Sequence, residues 1–135
     1  EGTHKNNITK TASAAMPRGA FVKLTAADAG KVEACSATDT DALGVLLDSV
    51  EAGDNVVVEL LGVSNRTFVA LADGEISAGG KVCLSANGAV KAIPAKGASA
   101  QTVQVVGLAL GNSVGKGDLV EIVAHRCEQL TIAAQ

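Results

Sequence analysis

From Phe21 onward the chain is a succession of short runs of Val, Leu and Ile, each closed by Gly or by a Gly-Asp pair. The runs fall at 21–24, 31–34, 43–47, 56–61, 66–71, 82–84, 90–93, 103–110 and 119–123. Several alternate at period two, as in Val56-Val57-Val58-Glu59-Leu60 and Leu119-Val120-Glu121-Ile122. That period, with a turn signal every 8–12 residues or so, is the pattern of antiparallel β-structure. Asn87-Gly88 between two runs predicts a tight hairpin, because both central residues of that turn need positive φ. Residues 25–29 could form one helical turn, but Gly30 stops it. The chain is therefore expected to be all-β, a compact β-barrel or sandwich.

The pattern also repeats. Residues 21–62 set above 81–125 both read strand, Gly turn, strand, polar loop, then an apolar strand containing Gly, then Gly-Asp and a closing strand. Val22 and Leu24 match Val82 and Leu84, Gly30 and Val32 match Gly88 and Val90, Gly44 matches Gly107, and Gly53-Asp54 matches Gly117-Asp118. Units of about 45 residues bury too little surface to stand alone, so two similar β-units sharing one domain are expected over residues 19–127. Residues 63–80 then bridge the units and add a strand, and residues 128–135 form a C-terminal tail.

Residues 1–18 differ. They hold few large apolar groups, and Lys5, Lys10 and Arg18 against Glu1 give +2, leaving −5 on the rest of a −3 chain. Such a segment buries too little apolar area to offset its ordering entropy, and Pro17 biases Met16 toward an extended conformation. An extended N-terminal arm is expected, reaching on the order of 55 Å if fully stretched. It would bind a partner by strand addition, so its deletion would leave the body folded.

Composition narrows the function. Of the 135 residues 47% are hydrophobic but only 1% aromatic, with two Phe and no Trp or Tyr. Nucleic-acid stacking needs aromatics and a basic groove, and neither is present. No apolar run approaches the roughly 20 residues of a membrane-spanning helix. Residues 1–15 show no apolar leader pattern. The cysteines Cys35, Cys83 and Cys127 form an odd set without a CxxC, which favours buried reduced thiols.

Catalytic constellations are sparse. His125 is the one histidine in the body, and no GxSxG elbow accompanies it. His125 and Cys127 could offer two zinc ligands, but no paired spacing completes the set. Residues 112–117 resemble a phosphate loop, except that Leu110 stands at its first Gly and Gly117 at its Ser/Thr. The acidic stretch with Asp39, Asp41, Asp48, Glu51 and Asp54 lacks calcium-loop ligands where Leu43 and Val50 fall. Asn7-Ile8-Thr9 and Asn65-Arg66-Thr67 match the glycosylation acceptor pattern, which carries meaning only on secretion. No catalytic, cofactor-binding or metal residues are assigned, and a non-enzymatic role is expected.

A set of short motifs is informative. Met16-Pro17-Arg18-Gly19-Ala20-Phe21-Val22, Ala42-Leu43-Gly44-Val45, Ala52-Gly53-Asp54-Asn55-Val56-Val57-Val58, Ile76-Ser77-Ala78-Gly79-Gly80-Lys81-Val82 and Gly107-Leu108-Ala109-Leu110 together resemble the small capsid decoration (cement) proteins of tailed bacteriophages. The resemblance covers roughly residues 16–124. It implies a protein made in the host cytoplasm and displayed on the outer surface of an icosahedral head. There it would bridge major capsid subunits and stabilise the shell, as a homotrimer or alternatively a dimer, with no contact to nucleic acid or membrane. Lys5, Ile8, Lys10, Met16, Pro17 and Arg18 are the candidate capsid contacts. The competing readings are a β-rich adhesion or host-surface recognition module of a virion, and a small β-barrel enzyme using His125 with Asp39 and Asp41.

Overall fold

In the computed structural model, which describes residues 6–63 and 66–135, every apolar run becomes a strand. The strands are β1 (Asn7–Ala12), β2 (Phe21–Leu24), β3 (Lys31–Ala34), β4 (Gly44–Leu46), β5 (Asn55–Leu60), β6 (Phe68–Leu71), β7 (Lys81–Leu84), β8 (Val90–Ala92), β9 (Gln101–Ala109) and β10 (Leu119–Ile132). The period-two pattern works as expected in β5, where Val56 and Val58 are buried and the intervening Val57 is 44% exposed. Between β7 and β8, Asn87 (φ 57°) and Gly88 (φ 78°) both take positive φ, and the Ala89 N–H donates to the Ala86 carbonyl. This is the expected hairpin turn; Ala86–Gly88 is otherwise a single 3-10 turn.

The strands form a closed barrel, β1-β3-β2-β4-β5, and a five-stranded sheet, β6-β10-β9-β7-β8. The all-β expectation holds, and the two orders are the same order. β1 lies beside β5 as β6 lies beside β10, and the registers correspond: Thr11 faces Asn55 and Leu71 faces Leu119, while Ile8 faces Val58 and Phe68 faces Ile122. Likewise Leu24 faces Val32 as Leu84 faces Val90, and Val22 faces Gly44 as Val82 faces Gly107.

The duplication therefore begins earlier than the sequence motifs suggest. Residues 7–24 and 67–84 align without a gap, sharing Ala12/Ala72, Gly19/Gly79, Val22/Val82 and Leu24/Leu84. Their backbone bonds match too. The Ala12 N–H donates to Asp54 O (2.8 Å) as Ala72 donates to Asp118 O (2.8 Å), and Met16 exchanges bonds with Val50 as Ile76 does with Ser113. Gly53-Asp54 and Gly117-Asp118 are the turns that receive these first strands: Gly53 donates to Ala12 O and Gly117 to Ala72 O, both at 2.9 Å. The aspartates close the turns, Asp54 Oδ2 accepting the Glu51 N–H and Asp118 Oδ2 the Val114 N–H.

Two expectations are corrected here. Residues 1–5 of the expected arm lie outside the described residues; the part that follows is not a free arm, because residues 7–12 form a barrel strand paired to β5 and, in parallel, to β3. A strand with few large side chains is tolerated there because β5 and β3 satisfy its backbone groups and Val56 and Val58 supply the apolar bulk. Nor do residues 128–135 form a tail, because β10 continues to Ile132, with Glu128 facing Val105 and Ile132 facing Gln101. The break in pattern at 125–127 is a bulge, three residues standing between the paired Ala124 and Glu128.

The two units share a core. The barrel is filled by Val22, Val32, Leu46, Val56, Val58, Ala12 and Met16. From its outside, Phe21, Cys35, Val45 and Leu61 join the inner face of the second sheet, with Phe68, Val82, Leu84, Val90, Val106 and Ile122. The second unit closes less fully than the first. Thr11 donates to Gly30 O and Ser13 to Val32 O across the barrel seam, whereas across the second seam Asp73 donates to Val90 O while Leu71 donates to Gly19 O of the first unit. The Gly88 N–H likewise donates to Cys35 O (2.7 Å), so the first unit wedges into the seam of the second.

Candidate interaction surfaces

The chemically suggestive residues serve local structure. His125 sits exposed in the β10 bulge, its Nδ1 2.7 Å from the Arg126 carbonyl, an acceptor. Asp39 accepts from Lys23 Nζ (2.8 Å) and from the Ser36 N–H (2.7 Å). Burial alone would raise the Asp39 carboxyl, but the bonds from Lys23 and Ser36 outweigh it and hold it below its ordinary value, while the same bond raises Lys23. Ser113 in the loop at 112–117 is buried and donates to Gly74 O and Gly115 O, and the Val114 and Gly115 N–H groups are taken by Asp118. That loop is a closed turn, with its amides turned onto its own aspartate. Among the described residues no group of three or more His, Cys, Asp or Glu could hold a metal ion, and no helix is long and apolar enough to cross a membrane.

All three cysteines are free thiols. Desolvation pushes the Cys35 thiol up to about 12, with the Asp39 charge adding to it, and burial also raises Cys83 and Cys127. Such thiols stay protonated and poorly nucleophilic near neutral pH.

The candidate capsid contacts separate according to the strand they lie on. Lys5 lies outside the described residues. Met16 is buried in the barrel, and Ile8, half-buried, packs on the same cluster. Met16 is thus closed to a partner while the barrel is intact, whereas Ile8 keeps part of its surface open. Lys10 is half-buried and donates from Nζ to the Ala29 carbonyl (2.9 Å). Pro17 and Arg18 are exposed at the turn before β2, the Arg18 N–H being held by Ser49 Oγ (3.1 Å).

Two further surfaces escaped the sequence reading. A groove of about 240 Å³ runs where the units meet, lined by Pro17, Leu71, Asp73, Asn87, Ala89 and Lys116 among others. The outer face of the second sheet carries Leu108, Leu110, Leu119 and Val123, each 39–47% exposed. Their signal in the sequence was Leu119 and Val123 sharing a face with Glu121, the face expected to be polar.

No family model and no curated protein matches the chain. Among solved structures, its fold is similar to that of the N base of head fiber gp8.5 of bacteriophage phi29. The TM-score is 0.68 at 16% identity, and the match spans 90% of this chain and 95% of that one. It therefore takes in both units rather than one, and what is shared is the whole all-β architecture.

Proposed function

We propose that the chain is a structural protein of a phage virion, attached to the outer surface of the head and bridging major capsid subunits there. The observation that carries this reading is the near end-to-end likeness to a head-fiber base, which neither unit alone would produce. It agrees in kind with the decoration-protein motifs, both pointing to a protein seated on a head. The site chemistry is compatible, since the side chains suggestive of catalysis are engaged in turns and ion pairs.

Of the candidate contacts among the described residues, Pro17 and Arg18 are the exposed ones, so capsid contact is assigned to this turn. Co-sedimentation of the purified protein with empty heads of its own phage tests the reading: saturable binding is expected, weakened by Arg18→Glu. An absence of binding by the folded parent protein would overturn it. The adhesion reading is less well supported, because Phe21 and Phe68, the chain's only aromatics, are both buried and leave no platform for a sugar ring.

A further inference from the structure

The two units are built alike but do not bury the same faces. In the first, Phe21, Val45 and Glu59 are neighbours across β2, β4 and β5 and point out of the barrel. All three are nonetheless 0–1% exposed. Phe21 and Val45 are covered by the core of the second unit. Their counterparts are Lys81, Leu108 and Val123, neighbours across β7, β9 and β10 in the same register. Here the face is bare: Lys81 is exposed, Leu108 is 39% and Val123 47% exposed, and Leu110 (46%) and Leu119 (45%) extend the patch.

A contiguous exposed apolar patch on a sheet marks an interaction surface. What covers the equivalent face of the first unit is itself a β-unit of this fold. The charges on the bare face are also self-complementary, with Lys81 toward the β7 side and Glu121 toward the β10 side. Turning a second copy about an axis parallel to the strands lays the Lys81 edge of each over the Glu121 edge of the other. Leu108 of each copy then meets the other's at the centre, with Val123 beside the other copy's Lys81, as two sheets packed about 10 Å apart. We propose that the exposed end of the outer face of the second sheet, around Leu108 and Val123, is the docking surface for a second copy of this chain.

Sedimentation velocity of the isolated protein tests this without any head, so it stands or falls separately from head attachment. The parent protein should self-associate. Leu108→Glu with Val123→Glu should weaken association at least about tenfold, since four unpaired carboxylates would be buried per pair. Val57→Glu, on the outside of the barrel, should leave association intact. Lys81→Glu should weaken it, and adding Glu121→Lys should restore it, a pair that keeps the test valid if the double Glu variant misfolds. A parent protein that stays monomeric at every accessible concentration overturns the proposal, all the more if the double variant then loses head binding, which gives the face to the capsid. An oligomer indifferent to these changes, or no rescue by the charge exchange, also overturns it.

Discussion

Replacing Met16 by Ala separates a free arm from a barrel strand. Met16 is 5% exposed, packs with Ala12, Leu46 and Val50, and exchanges two 2.9 Å backbone bonds with Val50. Alanine keeps those bonds, so the loss is confined to the side chain. Burial of Met truncated to Ala ordinarily costs 2–5 kcal/mol, and the barrel's end can collapse or admit water, so about 2–3 kcal/mol is expected. With a urea m-value of about 1–3 kcal/mol per molar, the unfolding midpoint should fall by roughly 0.7–3 M at unchanged slope. Arg18→Ala, two residues away and exposed, should move stability by no more than about 0.5 kcal/mol. Deleting residues 1–17 should go further and abolish cooperative unfolding, because β3 and β5 lose their common neighbour. Unfolding of Met16→Ala together with the parent, and an unchanged midpoint for the truncated protein, would instead mark residues 1–17 as a free arm.

Other outcomes follow from the same geometry. Gly44→Ala and Gly107→Ala should each destabilise by about 1–3 kcal/mol or more, since a Cβ would sit 2.2 Å from Glu59 O in one case and 2.3 Å from Val123 O in the other. Equal thermal midpoints for parent and variants would contradict the matched close approach. Native-state alkylation at pH 8 should modify Cys127 slowly, and Cys35 and Cys83 only on unfolding, read by intact mass. Asp39 is held below its ordinary pKa, so its ion pair stabilises the fold above about pH 4 and is lost as pH falls through the lowered value. Asp39→Asn should therefore cost about 1 kcal/mol or less at pH 7 and flatten the acid dependence of unfolding.

The strands and the repeat were legible because both rest on local chemistry. Period-two alternation set the strands, and the Asn87-Gly88 turn and the two Gly-Asp closures are positions where backbone geometry dictates the residue. Gly44 and Gly107 matched in the sequence because each lies against a carbonyl of the neighbouring strand. The first strand was not legible. β1 reads NITKTA, with one large apolar residue, and its partners β5 and β3 lie far along the chain. Its equivalence to β6, FVAL, is a matter of register and hydrogen bonding that small side chains do not reveal. The end of β10 was hidden by the bulge at 125–127, which shifts the phase of the alternation before Leu130 and Ile132 resume it. The candidate contact Met16 is buried in the barrel, and Ile8 is half-buried beside it. They are the large apolar side chains of that segment, and the barrel needs both.

Head attachment is tested by the copy number of this chain in purified virions, measured by quantitative mass spectrometry against the major capsid protein. A head-attached structural protein should be present in a fixed ratio to capsid subunits and stay with the head when tails are removed. Absence from the virion, or a ratio that drifts between preparations and washes away, would rule out a structural role on the head.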